Sequence, residues 1–406
     1  MVFVLSDGLG DRPSVRLDRR TPLQAARTPN IDELARESML GQVYPIAPGV
    51  TPGSDTSHLS LFGLDPYVYY SGRGPLEAVG AGLQLREGDV AFRGNFATVD
   101  ADMNVVDRRA GRRLDGAKEL VRFLQDGLKL DGAEVLIEGT TEHRFALVLR
   151  GDGLSAKVSD TDPHVTGVKL PTCVPQADSA EALKTANLVN SATETAVRLL
   201  ANHPLNAERK NKGLPAANCI LLRGAGTFRN VPSFQSLHGL EAAAVTGTAV
   251  IRGICTLMGM DVPRIPRVTG DANTDVKAKA RAGLDLLKTH EFVFIHFKAT
   301  DSAGHDRDPE GKIAMVEKLD ELVGHLMDGL SGEEVVCLTG DHSTPVDVGE
   351  HTADPVPILM HAPDIYGDGE RFTEAGSAFG RLGRLTGKFL MPVLLNQANR
   401  IRKYGE

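Results

Sequence analysis

Three short apolar segments of this sequence are each followed by aspartate, and two of them also by histidine. The side chains concerned are Asp7, Asp301, His305, Asp341, His342 and His351. Carboxylate oxygens and imidazole nitrogens are suitable ligands for divalent ions such as Zn²⁺ and Mn²⁺. Two such ions held ~3.5–4 Å apart are a common device for phosphoryl transfer. These residue types therefore point first to a two-metal site.

A serine behind a Pro-Gly turn supplies a candidate nucleophile. Ser54 follows Pro52 and Gly53 and precedes an apolar stretch, residues 59–62, that is typical of a helix. Serine is a favoured N-cap residue, and a helix start offers unpaired N–H groups and a positive dipole end that suit a phosphate. Capping alone is the ordinary interpretation of such a serine. The acidic and histidine residues elsewhere favour a nucleophile instead.

These side chains can meet only if a sheet brings their segments together. Residues 2–5, 292–297 and 334–338 are continuous apolar runs, the pattern of buried parallel strands. Helical patterns alternate with them, which predicts a mostly parallel sheet with helices on both faces. Ligands bind beyond the carboxyl ends of such strands, so the six side chains are expected at one rim. Residues 356–360 include a proline, which suggests an edge strand.

Residues 89–175 show a strand–helix–hairpin pattern that interrupts the alternation of strands and helices. Residues 90–99, 133–137 and 145–150 are predicted strands around a helix at 114–128, and another strand at 219–223 is assigned to the resumed core. We interpret residues 89–175 as an inserted lid or substrate domain, and residues 1–88 and 176–406 as the metal-binding core. The expected fold class is α/β: a three-layer αβα core with a mostly parallel sheet, plus a smaller α+β lid.

Composition narrows the partners. The formal net charge of −8 argues against nucleic acid or an anionic membrane surface. No segment approaches the ~20 apolar residues needed to span a bilayer, and the N-terminus lacks the features of a signal peptide. The four cysteines form no CxxC pair and are interpreted as reduced thiols of a cytoplasmic protein. A homo-oligomer is left open.

Five segments resemble the alkaline phosphatase superfamily and, more narrowly, the archaeal-type cofactor-independent phosphoglycerate mutases. They are DGLGDRP at 7–13, PGSDTSH at 52–58, TDSAGHD at 300–306, TGDHSTP at 339–345 and VGEHT at 348–352. Similar text recurs at 69–75 (YYSGRGP) and 92–98 (FRGNFAT). The resemblance implies an alkaline phosphatase-like core and interconversion of 3-phosphoglycerate and 2-phosphoglycerate in glycolysis and gluconeogenesis. It also implies independence from 2,3-bisphosphoglycerate.

The same resemblance implies roles for the rim residues. One divalent ion would be held by Asp301, His305 and His351. The other would be held by Asp7, Ser54, Asp341 and His342. Ser54 would be the nucleophile and would form a phosphoserine intermediate, since coordination to a metal activates a weakly acidic hydroxyl. The ions are left open among Mn²⁺, Zn²⁺, Co²⁺ and Mg²⁺.

Isomerisation also requires groups that hold the substrate and move a proton. Glycerate must be shielded from water between the two transfers, which is a physical reason for a lid. Guanidinium groups bind carboxylate and phosphate in forks, and His164 or Asp162 could carry the proton. Arg112 is interpreted as part of a solvated basic surface. The substrate-binding candidates are Arg93, Arg109, Asp162, His164, Arg252 and Lys298.

Two other functions compete with this interpretation. A phosphatase or another phosphomutase of the same superfamily would use the same metal residues. An inactive metal-binding scaffold is disfavoured, because every expected metal and nucleophile position is filled.

Overall fold

The computed structural model of the chain describes residues 1–111, 113–401, 403 and 405. The chain folds as two units, the first made of Met1–Tyr70 with Pro232–Glu406 and the second of Ser71–Val231. Arg112 lies outside the described residues. None of the described helices combines the length and apolar character that crossing a bilayer requires. All four cysteines are buried free thiols.

Strands and helices alternate through most of the chain. In chain order the strands are β1 (Val2–Ser6), β2 (Met39–Tyr44), β3 (Val90–Val99), β4 (Val105–Asp107), β5 (Glu134–Gly139), β6 (Arg144–Arg150), β7 (Cys219–Thr227), β8 (Ala242–Val245), β9 (Phe292–Phe297), β10 (Val336–Gly340), β11 (Val356–His361) and β12 (Gly383–Thr386). The α-helices are α1 (Pro22–Ala25), α2 (Pro29–Arg36), α3 (Ser54–Leu61), α4 (Pro66–Tyr69), α5 (Arg73–Ala81), α6 (Ala117–Gly127), α7 (Ala180–Ala201), α8 (Pro204–Asn211), α9 (Phe234–His238), α10 (Ala249–Leu257), α11 (Val276–Leu287), α12 (Ala299–His305), α13 (Pro309–Met327), α14 (Glu374–Ser377) and α15 (Leu390–Gln397). Short 3₁₀ helices cover Val15–Leu17 and Gly387–Phe389.

The first unit is built on a seven-stranded sheet in the order β12-β2-β11-β10-β1-β9-β8. Its central strands β10, β1, β9 and β8 are parallel, whereas β11 runs antiparallel to both of its neighbours. Strand β12 pairs with β2 in parallel at one edge. The expected mostly parallel α/β core is therefore confirmed.

Helices cover both faces of this sheet. Val2 and Val4 of β1 share a buried cluster with residues of α11 and α13, such as Ala280 and Leu319. Phe3 points to the opposite face, because successive strand residues alternate in direction. There it packs edge-on against the ring of Phe62, which directly follows α3, with centroids 6.4 Å apart. The arrangement is the expected three-layer sandwich.

Strand β11 is an interior strand, so the prediction of an edge strand from its proline is wrong. The ladder between β10 and β11 ends at the pair Thr339 and Ile358, one residue before Pro357 is reached. The Pro357 carbonyl accepts a hydrogen bond from the Thr339 hydroxyl at 2.8 Å. In a strand, the N–H and C=O of one residue point to the same side. The Pro357 carbonyl faces β10, so the nitrogen of Pro357 also faces β10, at a point where the ladder has already ended. The missing N–H of Pro357 therefore costs no ladder hydrogen bond.

The second unit contains a five-stranded antiparallel sheet in which β3 is central and pairs with β4, β6 and β7. Helices α6 and α7 pack on one face, and α5 packs on the other through Ala78 and Ala81. The expected lid boundaries, 89–175, are therefore too narrow. Strand β7 has the apolar pattern of a core strand but pairs with β3, and α5 packs against Ala91 of β3.

A buried lysine fastens the loops that follow β1 and β10. Lys312, on α13, has no solvent exposure. Its ammonium donates to the carbonyls of Gly10 (3.1 Å) and Thr344 (2.9 Å) and to Asp11 Oδ2 (2.8 Å). The Thr344 N–H also donates to the Gly10 carbonyl at 3.1 Å. All three ammonium hydrogens have an acceptor, so the two loops are held in a fixed relation.

Candidate metal centre

The ends of three adjacent strands place the predicted rim residues together in the first unit. Ser6, the last residue of β1, is in register with Gly340 of β10 and Phe297 of β9. Asp7 and Asp341 therefore follow the last paired residues of adjacent strands, at the same edge of the sheet. Asp301 follows β9 on the short helix α12 and hydrogen bonds to Lys298, which also contacts Asp7. The sheet thus joins segments almost 300 residues apart in sequence.

His342 is the centre of the cluster. Its Nε2 lies 3.2 Å from Ser54 Oγ, and 3.3 Å from both Asp7 Oδ1 and Asp341 Oδ2. Ser54 Oγ is also 3.5 Å from Asp7 Oδ1. Asp7, Asp341 and His342 offer ligand atoms within 4.8 Å of one another, close enough to converge on one ion. A candidate nucleophile therefore lies among candidate metal ligands.

A second group of ligand atoms surrounds Asp301. Its Oδ1 lies 3.5 Å from His351 Nε2, 3.4 Å from His305 Nε2 and 3.9 Å from His342 Nε2. Within 4.8 Å the converging set is Asp301, His342 and His351. The grouping differs from the implied one: His342 belongs to both sets, and His305 lies outside the converging set, beside Asp301 and with its ring centroid 5.1 Å from that of His351. His305 Nδ1 is bonded to the Gly349 carbonyl at 2.9 Å, which fixes the ring at this distance.

Ser54 does not cap α3, so the interpretation of this serine as an N-cap residue is wrong. The N-cap is Gly53, whose N–H donates to the Thr56 hydroxyl at 3.1 Å. Ser54 is the first helical residue, so its hydroxyl is available to the rim. His58, one turn later, donates from Nδ1 to the Ser54 carbonyl at 2.6 Å, and burial lowers the pKa of this imidazole to about 3. The neutral His58 ring thus holds the Ser54 carbonyl, in the first turn of α3, through this hydrogen bond.

One ammonium group holds two of the three carboxylates in their charged form. Lys298 Nζ lies 2.9 Å from Asp7 Oδ1 and 2.5 Å from Asp301 Oδ2. Burial alone would raise the pKa values of Asp7 and Asp301, but Lys298 and the neighbouring histidines lower both well below the ordinary range. In return the two carboxylates outweigh burial and raise the pKa of Lys298. Lys298 therefore forms salt bridges with two rim carboxylates, and its contact with the substrate stays a prediction.

The third carboxylate lacks a full set of partners. Asp341 is completely buried, and its Oδ1 accepts the Gly8 N–H at 2.9 Å, but its Oδ2 has no hydrogen-bond partner among the described residues. Burial, and then the charge of Asp7, raises the pKa of Asp341 to about 6. A buried carboxylate oxygen without a donor is costly unless a cation meets it. With three carboxylates facing one lysine, this donor set fits divalent cations.

The second unit carries a separate cluster of arginines on the α5 face of its sheet. Arg93 of β3 is directly opposite Arg223 of β7, and the neighbouring Asn95 is opposite Arg144 of β6. Like charges directly opposite each other in a sheet are destabilising. Arg73, on α5, donates to Glu77 at 3.2 Å, and Arg93 Nε is 3.7 Å from the same carboxylate oxygen.

The cluster has more positive charge than its carboxylates can neutralise. The Nε atoms of Arg93, Arg144 and Arg223 are buried without a hydrogen-bond partner among the described residues. Burial, despite the nearby Glu77, lowers the pKa of Arg93 to about 9, and it lowers the pKa values of Arg144 and Arg223 as well. Such a concentration of incompletely paired guanidinium groups suits an anionic ligand.

A second carboxylate of this unit is fully engaged. Arg108 forms a fork with Asp162, with nitrogen–oxygen distances of 2.6 and 2.7 Å. Although burial raises the pKa of Asp162, its hydrogen bonds from Arg108 and the His164 N–H lower it overall. His164 itself is half-exposed, with Nε2 3.5 Å from Asp160 Oδ2.

Two other predicted substrate residues differ in their surroundings. Arg109 is exposed, and it lies close enough to Arg144 to contribute to the lowered pKa of that group. Arg252 is not brought to the rim carboxylates. Its guanidinium donates to the carbonyls of Val262 (3.0 Å) and Thr246 (2.9 Å), which gives it a structural role at the start of α10.

Several residues of these sites were missed from the sequence: Arg73, Glu77, Arg144, Arg223, His58, His296 and Thr344. Only His58, Arg73 and Thr344 carried a signal, because they lie within segments that resemble the family. His296 lies between apolar residues of β9 and resembles an ordinary buried strand residue, yet its Nε2 contacts Asp7 Oδ2 at 3.0 Å. Nothing local distinguishes the arginines from ordinary strand residues.

Comparison with known proteins gives full-length matches. A family model described as 2,3-bisphosphoglycerate-independent phosphoglycerate mutase matches residues 35–206. The curated protein of that name from Ignicoccus hospitalis is 49% identical over 411 residues, covering 100% of this chain and 99% of its own length. That from Saccharolobus solfataricus is 47% identical over 412 residues, with 100% and 99% covered.

Solved structures agree with these sequence matches. A protein from Pyrococcus horikoshii has a TM-score of 0.85 at 36% identity, with 100% of this chain and 98% of that chain covered. A cofactor-independent phosphoglycerate mutase from Thermoplasma acidophilum has a TM-score of 0.69 at 37% identity, with 98% and 99% covered. The similarity therefore spans both units.

Proposed function

Because this chain belongs to the family of 2,3-bisphosphoglycerate-independent phosphoglycerate mutases, we propose that Ser54 carries the phosphoryl group between the two hydroxyls of glycerate. As a member of this family, the chain is an isomerase that interconverts 3-phosphoglycerate and 2-phosphoglycerate without 2,3-bisphosphoglycerate, a step of glycolysis and gluconeogenesis. The observation that carries the proposal is the position of Ser54 Oγ, 3.2 Å from His342 Nε2 and 3.5 Å from Asp7 Oδ1.

Two divalent cations would be held at the rim. We assign Asp301, His305 and His351 to one ion and Asp7, Ser54, Asp341 and His342 to the other, with His342 close to both groups. Bound there, the ions would supply positive charge that makes the serine hydroxyl more acidic and stabilises the phosphoryl oxygens. Mixed imidazole and carboxylate donors favour Mn²⁺, Zn²⁺ or Co²⁺ over Mg²⁺.

The reaction comprises two phosphoryl transfers. Ser54 Oγ loses its proton and attacks phosphorus in line, the bond from phosphorus to O3 of glycerate breaks, and O3 receives a proton. Glycerate then turns, O2 loses its proton and attacks the phosphoserine, and the bond to Ser54 Oγ breaks. The hydroxyl proton of Ser54 returns at the end, so the enzyme is unchanged and no water is consumed.

The two transfers need a group that carries a proton between O3 and O2 of glycerate. We propose His164, with Asp160 as its partner at 3.5 Å, in preference to Asp162. Asp162 is held as a carboxylate by Arg108, so it has no proton to give at neutral pH. The His164 side chain is half-exposed.

The arginine cluster is proposed to bind the anionic groups of the substrate. Arg93, Arg144 and Arg223 share one face of the sheet, and their Nε atoms have no hydrogen-bond partner among the described residues. Arg73, which is paired with Glu77, and the exposed Arg109 add positive charge beside Arg144. Retention of glycerate by such donors separates a mutase from a phosphatase, because a glycerate that leaves would expose the phosphoserine to water. The second unit would then act as the substrate-retaining lid. A cytoplasmic location is proposed from the four free thiols.

Metal removal and product analysis test the function. Protein treated with a chelator is expected to lose activity on 3-phosphoglycerate, and Mn²⁺, Zn²⁺ or Co²⁺ should restore it. The measurement is ³¹P NMR, which resolves 2-phosphoglycerate from free phosphate. We expect 2-phosphoglycerate as the main product and no change of rate on adding 2,3-bisphosphoglycerate.

Two outcomes would overturn the assignment. Free phosphate as the main product would indicate a phosphatase. A requirement for 2,3-bisphosphoglycerate would indicate a phosphoenzyme primed by that cofactor. A mock-treated sample carried through the same buffer exchange controls for inactivation unrelated to the metal.

Substitution of one arginine tests the anion site. Arg223→Met is expected to lower kcat/KM for 3-phosphoglycerate by about 10–100-fold, since a hydrogen bond to a charged group is worth ~1.5–3 kcal/mol. We expect most of the effect in KM, measured by initial rates of the metal-loaded enzyme. The matched control is Arg150→Met, which breaks the pair with Asp89 (2.7 Å) in the same unit, away from the cluster. An equal rise of KM in both variants would refute the anion site.

A further inference from the structure

One buried hydroxyl contacts both groups of candidate metal ligands. Thr344 is fully buried, and its Oγ1 donates to Asp301 Oδ1 at 2.8 Å. The same oxygen lies 3.0 Å from His342 Nδ1. His342 belongs to both converging sets, whereas Asp301 belongs to one.

The direction of these two hydrogen bonds follows from the chemistry of the three groups. In the contact between Thr344 Oγ1 and Asp301 Oδ1 the hydroxyl is the donor and the carboxylate oxygen is the acceptor. The single hydroxyl hydrogen of Thr344 is therefore used by Asp301. The lone pairs of Oγ1 remain, and they can pair with His342 only if Nδ1 carries a hydrogen.

A hydrogen on Nδ1 leaves the other ring nitrogen for the rim. His342 Nε2 faces Ser54 Oγ, Asp7 and Asp341 at 3.2–3.3 Å. In a neutral imidazole one nitrogen donates and the other presents a lone pair. The lone pair then points toward the place where the ligand atoms converge, as a metal site requires.

Thr344 is itself held firmly. Its N–H donates to the Gly10 carbonyl at 3.1 Å, and its carbonyl accepts from Lys312 at 2.9 Å. The side chain has no spare room, since a Cβ built on Gly8 would lie 2.7 Å from Thr344 Oγ1. The hydroxyl is thus placed by main-chain contacts and does not depend on an ion.

We propose that Thr344 is a positioning residue, whose hydroxyl fixes the ring and hydrogen position of His342 and orients the carboxylate of Asp301. Groups that hydrogen bond to metal ligands in this way commonly contribute 10–100-fold to metal affinity. This inference rests on the proposed metal-binding role of the rim. It adds that a residue which touches no metal couples the two ion sites.

The test compares two substitutions of Thr344. Thr344→Val keeps the shape and removes the hydroxyl, whereas Thr344→Ser keeps the hydroxyl and removes the methyl group. Mn²⁺ binding to the metal-free proteins is measured by the EPR signal of free Mn²⁺. We expect Thr344→Val to bind Mn²⁺ about 10–100-fold more weakly. Thr344→Ser should remain close to the wild-type affinity.

A buried hydroxyl nearby provides the matched control. Thr339, at the end of β10, donates to the Pro357 carbonyl at 2.8 Å and contacts neither group of ligands. Thr339→Val should lower the melting temperature in the same way but keep the wild-type Mn²⁺ affinity. Equal loss of affinity in Thr339→Val and Thr344→Val, or equal loss in Thr344→Val and Thr344→Ser, would overturn the proposal. If wild-type protein fails to bind Mn²⁺, the proposed function fails as well.

A measurement on the wild-type protein gives an answer even if Thr344→Val does not fold. In ¹⁵N-histidine-labelled, Zn²⁺-loaded protein, the resonances lost in His342→Gln identify the His342 ring. The proposal requires the shift and coupling pattern of a ring protonated at Nδ1. A pattern showing the hydrogen at Nε2 would refute it.

Discussion

Ser54→Ala is expected to reduce mutase turnover by at least about 10⁴-fold, the scale on which loss of a nucleophile acts in enzymes with covalent intermediates. The reason is chemical: no other described hydroxyl lies as close to His342 Nε2 and Asp7 Oδ1 as that of Ser54. The fold should persist, because Gly53 and Thr56 make the cap of α3 without the Ser54 side chain. Initial rates and a thermal melt measure the two effects.

The same helix contains a control for this substitution. Ser57 is also buried, but its hydroxyl has no hydrogen-bond partner among the described residues. Ser57→Ala should therefore keep activity and equal or exceed the wild-type melting temperature, since removing an unsatisfied buried hydroxyl costs nothing. Phosphate trapped by acid quench should be located on Ser54 by fragment-ion mass spectrometry of the peptide that contains both Ser54 and Ser57. Retention of activity in Ser54→Ala, or phosphate on Ser57, would contradict the proposed intermediate.

Asp341→Asn is expected to have opposite effects on metal binding and on stability. Loss of a ligand should weaken Mn²⁺ binding by at least about 100-fold, the upper end of what loss of a supporting hydrogen bond costs. The metal-free protein should melt about 2–6 °C higher than wild type, because the amide keeps the contact to Gly8 and removes an incompletely paired buried charge. Titration with Mn²⁺ and calorimetry measure both effects.

The stability gain has a defined pH dependence. Burial raises the pKa of Asp341 to about 6 in the folded metal-free protein, above its ordinary value of 3.8. Between these values the folded state binds more protons than the unfolded state, so stability falls as pH rises. The advantage of asparagine should therefore be small near pH 4 and complete above pH 6.

The exposed Asp328, at the end of α13, provides the control for this prediction. Asp328→Asn removes the same charge from the surface and should leave Mn²⁺ binding and its pH dependence unchanged. If metal-free Asp341→Asn protein has a melting temperature equal to or below that of metal-free wild type at pH values above 6, Asp341 is not a destabilising, incompletely paired buried charge.

Much of the metal centre could be predicted because it depends on local patterns and one general property of sheets. Continuous apolar runs identified β1, β9 and β10 as buried strands. The aspartates that come after these runs can be seen in the sequence. Parallel strands share the edge at which they end, so Asp7, Asp301 and Asp341 had to meet once the sheet was parallel. The Pro-Gly turn before an apolar helical stretch pointed to Ser54, the motif resemblance favoured it as nucleophile, and the full-length relatives confirm the family.

The extent of the second unit could not be read in the same way. An apolar strand pattern indicates burial and does not identify the neighbouring strand. Strand β7 therefore looked like part of the core, although it pairs with β3 more than 100 residues earlier. The pairing also places Arg223 opposite Arg93, so a cluster invisible along the chain appears on one face of the sheet.

The side chains suited to bind cations and to accept a phosphoryl group could be identified along the chain, since strand ends and short motifs are local properties. How each of those groups is supported depends on the folded arrangement. Thr344 lies between Asp301 and His342, and Asp341 Oδ2 has no donor among the described residues, because contacts of this kind depend on register and loop packing between distant segments.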